Sequence, residues 1–217
     1  PYGGGEPQIF LSMCEYIKDF DVLGVYTSFF NKDITVENIG ENIGKELCKL
    51  GYSSFSVIGI CVGSVVALEI AKYLESNRKV VDNVFIGASL PTKAPRILGK
   101  TINPWSFVNR KYINYFLEKL GGEQVCFEKV SEKIFRNDTN RFFKYVNKEN
   151  RINIKGAVIL IFGENDKITL GYSNKAKKWK NYINDFSLIT LKNAGHYFIK
   201  SKAKKVAEII EKSSKIN

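Results

Sequence analysis

The chain has 217 residues, with 33 Lys or Arg, 22 Asp or Glu and one His, which gives a formal charge of +11. This length fits one domain, and the 44% hydrophobic and 25% charged shares are those of an ordinary soluble globule. No apolar run reaches the roughly 18 residues of a membrane span, and the scattered lysines lack the interleaved aromatics of an RNA-binding sheet. We therefore expect a solvated basic surface that binds neither membrane nor nucleic acid.

The four cysteines are widely scattered along the chain, at Cys14, Cys48, Cys61 and Cys126, without a C-x-x-C pair. Together with a single histidine, this spacing predicts neither a disulfide framework nor a zinc site. We expect a protein of the reducing cytoplasm that carries no metal. Cys14, Cys48 and Cys126 are expected to be small apolar side chains within helices.

Short apolar runs alternate with amphipathic segments, which predicts an α/β protein with a parallel sheet covered on both faces by helices. The predicted strands are Val22–Thr27, Phe55–Ile60, Val81–Ala88, Ala157–Phe162 and Phe186–Leu191. Several are rich in Val and Ile and apolar on both faces, as buried parallel strands are.

Three helices follow from apolar residues at three- and four-residue steps. Thr35 can cap the first, which Gly51 ends; the second follows Cys61 and runs through Tyr73; the last begins at Ser201. These helices are expected to pack on the sheet.

The alternation stops between Pro91 and Lys155. This interval contains helical patterns around residues 111–120, 127–135 and 139–145, with prolines before them. We interpret it as an inserted helical lid, the lid segment, over the strand ends where ligands of open α/β sheets bind.

Cys61 is the centre of Gly59-Ile60-Cys61-Val62-Gly63, directly after a predicted strand. The pattern glycine-x-nucleophile-x-glycine marks a tight strand-to-helix turn, because bulky side chains do not fit where the strand and the helix approach each other. It predicts a thiol nucleophile, with the Val62 N–H as an oxyanion donor. Ser64 falls in the first helical turn, where we expect a structural hydroxyl.

The only histidine, His196, follows the last predicted strand by a short loop, and Asp166 follows the strand before it. The order Cys, Asp, His is that of α/β hydrolases. In this scheme His196 activates Cys61 and Asp166 holds the imidazole tautomer. Glu164 and Asp138 are competing acids, but Glu164 lies too close to its strand to reach as easily, which favours Asp166.

Five segments also carry a family resemblance: Pro1-Tyr2-Gly3-Gly4-Gly5, Gly59-Ile60-Cys61-Val62-Gly63-Ser64, Leu117-Glu118-Lys119-Leu120-Gly121-Gly122, Phe162-Gly163-Glu164-Asn165-Asp166 and Gly195-His196-Tyr197-Phe198. Over almost its whole length the chain resembles the stand-alone type II thioesterases of nonribosomal peptide and polyketide synthesis. The resemblance implies the α/β-hydrolase fold and a single thioesterase domain. It also implies a protein that edits acyl groups on the phosphopantetheine arm of carrier proteins.

The resemblance implies no cofactor of the chain's own, since the substrate is carried on the partner's phosphopantetheine. Carrier proteins are typically acidic, so one would complement the charge of +11. We expect a monomer that binds a carrier protein and its small acyl or peptidyl thioester.

The same resemblance assigns the second oxyanion N–H to Gly3, the third residue of the family's P-x-A-G-G segment. Related thioesterases embedded in synthetases often have their acid after the strand that follows the elbow helix, where this chain has Ala88. This difference favours Asp166 and the editing subfamily.

Two departures from the family bear on function. The usual nucleophile is Ser, whereas Cys61 would form a thioester that can transfer its acyl group to an amine or hydroxyl as well as to water. We therefore keep two alternatives to hydrolysis, a chain-releasing acyltransferase or cyclase and a catalytically silent carrier-binding protein. The family also has a hydrophobic strand before the oxyanion segment, and we expect that this strand is missing before Pro1 in the sequence.

Overall fold

The computed structural model describes residues 1–27, 30, 33–119 and 129–214. Its main sheet has four parallel strands in the order β1-β2-β5-β6, with bounds β1 Ser54–Ile60, β2 Val80–Gly87, β5 Ala157–Gly163 and β6 Ser187–Leu191. A separate antiparallel hairpin is formed by β3 Arg96–Ile97 and β4 Lys100–Thr101. The four predicted strands from Phe55 onward are thus present.

Eight α-helices lie in the described parts of the chain. They are α1 Leu11–Cys14, α2 Val36–Lys49, α3 Gly63–Ser76, α4 Arg110–Lys119, α5 Lys129–Lys148, α6 Tyr172–Lys175, α7 Phe198–Ser201 and α8 Ala203–Ser214. Short 3-10 helices occur at Pro7–Phe10, Pro104–Phe107 and Ala176–Asn181. As expected, the Thr35 side chain caps α2 by accepting from the Asn38 N–H.

Both faces of the sheet are buried, because alternate strand residues enter two different cores. Val84 and Ile86 pack with residues of α2, α3 and α5, whereas Phe85 packs on the other face with Val206 and Ile210 of α8. Side chains in a strand point alternately to opposite faces, which explains the continuous apolar runs. The sheet is therefore a buried layer between helices.

The first predicted strand, Val22–Thr27, is wrong. This segment has neither helix nor strand and pairs with no described strand, and in the part of the chain that is placed β1 pairs with β2 alone. Val22, Leu23 and Tyr26 are 43%, 46% and 39% exposed, and only Val25 packs on the core. A strand needs a neighbour that takes its backbone hydrogen bonds, and apolar composition alone does not supply one.

Three smaller differences concern helices. The pattern around residues 127–135, of which 127 and 128 lie outside the described residues, and the pattern around 139–145 belong to one helix, α5, of 20 residues. Ser201 ends α7 instead of beginning α8. Cys14 and Cys48 lie in helices but are half-buried, while Cys126 lies outside the described residues. Among the helices described, none is long and apolar enough to cross a membrane.

The segment between β2 and β5 packs on the carboxyl end of the sheet. Ile113 and Leu117 of α4 and Phe135 of α5 form a buried cluster with Tyr197, which follows the predicted base. Tyr2, Trp105, Val108 and Phe116 pack around this cluster. The described parts of this segment therefore pack beside the residues expected to react.

Candidate active site

Cys61 lies in a tight turn between β1 and α3. Its φ is +55°, in the left-handed region that most residues avoid, and its N–H donates to the Gly87 carbonyl at 2.8 Å. A Cβ on Gly59 would lie 2.5 Å from the Gly63 carbonyl oxygen, so the strand and helix approach too closely for a side chain there. The glycines that flank Cys61 thus permit a strained turn that presents its thiol, a feature often seen at functional sites.

Ser64 lies in the first turn of α3, as predicted, and is fully buried. Its hydroxyl donates to the Gly59 carbonyl at 3.2 Å. This bond stabilises the turn, and Ser64 has the structural position that the sequence indicated.

His196 and Asp166 come from loops after β6 and β5 and meet below the surface. His196 Nδ1 lies 2.9 Å from Asp166 Oδ2, and the two residues are 3% and 1% exposed. A carboxylate only accepts hydrogen bonds, so Nδ1 carries the proton and Nε2 is left for another partner. Asp166 is therefore placed to set the tautomer of His196.

Asp166 is held by two further donors. The Ile168 N–H donates to Oδ1 at 2.9 Å, and the Thr169 hydroxyl donates to Oδ2 at 2.7 Å. Burial opposes the charged form, but the hydrogen bonds from His196, Thr169 and Ile168 hold the pKa of Asp166 below its ordinary value. The acid is thus ionised and fixed in orientation.

The Cys61 side chain is a second group that acts on the pKa of His196. Burial alone would lower the pKa of His196, but Asp166 on one side and Cys61 on the other outweigh it and raise the pKa to about 10. A carboxylate at Nδ1 favours the imidazolium form of His196. A thiol beside such a histidine is suited to nucleophilic attack.

The two competing acids bind elsewhere. Glu164 Oε2 accepts from the Asn193 N–H at 2.9 Å, and Asp138 accepts from the Gly4 N–H and from Arg141. Neither contact involves His196. Of the three candidate acids, the geometry brings only Asp166 to the histidine.

Gly3 lies beside Val62, the other expected oxyanion donor. A Cβ built on Gly3 would be 3.5 Å from Val62 Cγ2 and 3.3 Å from the Phe135 ring. The Gly5 N–H donates to the Tyr2 carbonyl at 2.8 Å, and Gly4 has a φ of +70°, so this segment is a tight turn that requires glycine. The structure thus brings Gly3 into contact with the side chain of Val62, which follows Cys61 in the chain.

An aromatic cluster over the site did not emerge from the sequence pattern. The rings of Tyr2 and Tyr197 meet edge to face at 5.0 Å, and Tyr197 contacts His196 in the same way at 5.5 Å. Trp105 makes a similar contact with Phe135 of α5 at 5.4 Å. These residues are far apart in sequence, and only the position of Tyr197 next to the histidine was a local signal. An aromatic cluster of this kind can exclude water from the reacting groups.

In the described ranges, no group of three or more His, Cys, Asp or Glu side chains is placed to hold a metal ion. The site's polar groups are instead a thiol and an imidazole that is hydrogen-bonded to a carboxylate. This set suits nucleophilic acyl transfer.

A parallel sheet with a nucleophile turn after one strand, an acid after a second and a histidine after a third defines the α/β-hydrolase fold, which this chain has. Solved structures agree with this class. The chain is similar to the RedJ thioesterase of the prodiginine pathway in Streptomyces coelicolor, with 17% identity over 98% of this chain and 87% of that one and a TM-score of 0.77.

Two further structures show the same likeness. The type II thioesterase YbtT of the yersiniabactin pathway has a TM-score of 0.66 and 13% identity over 98% of this chain and 90% of that one. An α/β-hydrolase family protein from Desulfitobacterium hafniense has a TM-score of 0.61 and 16% identity over 97% and 92%. No protein-family model and no curated protein matches the sequence. At these identities the likeness establishes the fold.

Proposed function

We propose that the chain is a thioesterase that hydrolyses acyl or aminoacyl groups from the phosphopantetheine arm of carrier proteins in nonribosomal peptide or polyketide biosynthesis. The observation that carries this proposal is the hydrogen bond between Asp166 and His196, with Cys61 as the side chain that also acts on the pKa of His196 from the nucleophile turn of an α/β-hydrolase fold. The names of the similar structures support it, because RedJ is a thioesterase of a biosynthetic pathway and YbtT is a type II thioesterase of a mixed nonribosomal peptide and polyketide pathway.

In the first half-reaction the Cys61 thiolate attacks the thioester carbonyl carbon. The carbonyl oxygen becomes an oxyanion, which the N–H groups of Gly3 and Val62 stabilise. The bond to the pantetheine sulfur then breaks, and the His196 imidazolium gives its proton to the leaving thiolate. The product is an acyl group on Cys61 and a neutral His196.

In the second half-reaction water attacks this acyl thioester while His196 takes one proton from it. The bond between the acyl carbon and the Cys61 sulfur breaks, which releases the free acid and regenerates the thiolate and the imidazolium. Asp166 keeps the Nδ1 proton throughout and stabilises the charged imidazole.

The lid segment supports a carrier protein as partner. Residues 91–119 contain six basic residues and one acidic residue: Lys93, Arg96, Lys100, Arg110, Lys111 and Lys119, against Glu118. A basic surface beside the site complements an acidic carrier and would speed its association at low salt. The cytoplasmic location and the monomeric state remain predictions.

A second candidate function rests on the identity of the nucleophile. A thioester on Cys61 retains acyl-transfer potential, so an amine or hydroxyl could replace water in the second half-reaction. The chain would then release its substrate as an ester, an amide or a ring.

Intact-mass spectrometry of the protein mixed with acyl-loaded carrier protein tests these proposals. We expect a transient acyl adduct and free acid with the wild type, and no turnover with Cys61→Ala or His196→Ala, both folded. Cys48→Ala, which removes another half-buried thiol, serves as the matched control and should keep full activity. An adduct that persists until an amine or hydroxyl is added would favour transfer, and neither adduct nor turnover would favour a silent binding protein.

A further inference from the structure

A buried carboxylate of the lid segment holds the oxyanion segment, residues 1–5. Asp138 of α5 is 9% exposed, and its Oδ2 accepts a hydrogen bond from the Gly4 N–H at 3.0 Å. The reaction scheme above gives this carboxylate no role. Removing a charged carboxylate from water is energetically costly, so its burial here requires a compensating interaction or a functional role.

Arg141, one helical turn further along α5, neutralises this carboxylate. Its Nη1 donates to Asp138 Oδ1 at 2.9 Å, and its Nη2 donates to the Phe30 carbonyl at 3.0 Å. Both side chains are more than nine-tenths buried. Buried ion pairs contribute little net stability compared with apolar residues of the same size, so stability alone does not account for this pair.

The position of the hydrogen bond between Asp138 and Gly4 indicates what the Asp138–Arg141 pair does. The Gly3 N–H belongs to the peptide unit whose carbonyl is that of Tyr2, and this carbonyl accepts from Gly5. The next peptide unit carries the Gly4 N–H, which Asp138 holds. Because peptide units are planar, fixing one group of each unit fixes the direction of the other. The Gly5 bond fixes the unit that carries the Gly3 N–H, and the Asp138 bond fixes the next unit, so Asp138 stabilises the turn in which the Gly3 N–H is held.

We infer that Asp138, with its charge balanced by Arg141, is a positioning residue that orients the Gly3 N–H for the oxyanion. This inference rests on the proposed function. It links the lid segment to the reaction, since α5 both covers the site and fixes a donor within it. Loss of alignment at such a donor is expected to lower turnover without weakening substrate binding.

The double variant Asp138→Leu/Arg141→Leu removes the bond without leaving an unpaired buried charge. We expect kcat for hexanoyl-pantetheine to fall about 10- to 100-fold, with KM within about twofold. The affinity for hexanal, which adds to Cys61 and places an oxygen at the oxyanion site, should fall by the same factor. The affinity for the corresponding pantetheine amide, which has no oxyanion, should stay unchanged.

Two controls accompany this variant. Asp138→Asn/Arg141→Gln keeps an acceptor for Gly4 without charge and should restore most of the activity. Tyr145→Phe removes another buried hydrogen bond of α5, to Glu69 at 2.8 Å, without touching the oxyanion segment, and should keep kcat within about twofold. If kcat fell as far in Tyr145→Phe as in Asp138→Leu/Arg141→Leu, the proposal would be overturned, because any disturbance of α5 would then explain the loss of turnover.

Nuclear magnetic resonance of the wild type provides a test that needs no variant. The Gly4 amide proton should be protected from exchange and shifted downfield by the carboxylate, and free exchange would overturn the proposal. If the wild type is active, an unchanged kcat and an unchanged hexanal affinity in Asp138→Leu/Arg141→Leu would also overturn the proposal. Equal losses of affinity for hexanal and for the amide in that variant would overturn it as well. A wild type that never acylates Cys61 would instead overturn the proposed function and, with it, the positioning role of Asp138.

Discussion

Asp166→Asn is expected to slow turnover by forcing the wrong tautomer on His196. Asp166 Oδ1 accepts from a backbone N–H, that of Ile168, while Oδ2 accepts from the Thr169 hydroxyl and from His196. Asparagine places one oxygen and one NH₂ in these two positions. An NH₂ in the position of Oδ1 would face the Ile168 N–H, and a backbone donor cannot rotate to become an acceptor. The amide oxygen therefore stays there, and the NH₂ faces the histidine.

An NH₂ that faces Nδ1 requires this nitrogen to accept, so the imidazole proton moves to Nε2. His196 can then no longer take up a proton on the side of Cys61. The same change in a Ser-His-Asp hydrolase lowers kcat by about 10⁴, or about 5 kcal/mol in the barrier. Because a thiol ionises more readily than a serine hydroxyl, we expect a smaller loss here, about 10²- to 10³-fold.

Single-turnover hydrolysis of hexanoyl-pantetheine, with thiol and acid release followed separately, measures this loss. Glu164→Gln is the matched control, because Glu164 is two residues away and its amide replacement can still accept from Asn193. We expect that control to keep activity within about threefold. Nearly full activity in Asp166→Asn, or an equal loss in Glu164→Gln, would refute the assignment of the acid. Circular dichroism should show the fold unchanged in both variants.

Two further predictions concern pH and the nucleophile turn. The raised pKa of His196, about 10, means that the proton donor for the leaving thiolate persists to higher pH than in free imidazole. After subtraction of spontaneous hydrolysis, kcat/KM should therefore fall only as pH rises through about 10, and a fall centred near pH 7 would contradict this. Gly59→Ala should lower the free energy of unfolding in urea by about 1–3 kcal/mol, because its Cβ would meet the Gly63 carbonyl at 2.5 Å. Gly51→Ala, where a Cβ meets nothing within 4 Å but φ is +80°, should cost only about 1 kcal/mol, and an equal or larger loss there would argue against crowding at the turn.

The strands could be predicted where burial on both faces left a continuous apolar run. The segment Val22–Thr27 is similarly apolar, yet it pairs with no described strand. The difference lies in its neighbours, since a strand forms only beside another backbone that accepts its hydrogen bonds. The presence of such a neighbouring strand cannot be predicted from the six residues of the segment itself.

The positions of Cys61, His196 and Asp166 could be predicted as a group because the carboxyl ends of parallel strands meet at one edge of a sheet. The contact between Asp138 and Gly4 could not, because it joins residues 134 positions apart and has no local pattern. Asp138 stood out in the sequence only as a competing acid. Its partners, Gly4 and Arg141, follow only from the packing of α5 on the oxyanion segment.

The acid and the base are held together by backbone as well as by their own hydrogen bond. The Asn165 N–H donates to the Ala194 carbonyl at 2.8 Å, and the Glu164 side chain accepts from the Asn193 N–H, so the loops after β5 and β6 are tied to each other. These contacts preorganise the distance between Asp166 and His196 independently of the nucleophile.

The nucleophile turn is anchored to a different strand. The Cys61 N–H donates to the Gly87 carbonyl at the end of β2, and the next residue, Ala88, is buried and contributes only a methyl group. With the acid placed after β5, the end of β2 is free to hold the turn by its backbone alone. The nucleophile and the acid–base pair are thus supported separately. In the proposed reaction, a change between Ser and Cys at position 61 would alter the acyl intermediate without disturbing Asp166 or His196. The choice between hydrolysis and acyl transfer would then depend on the sulfur and on which acceptor reaches it.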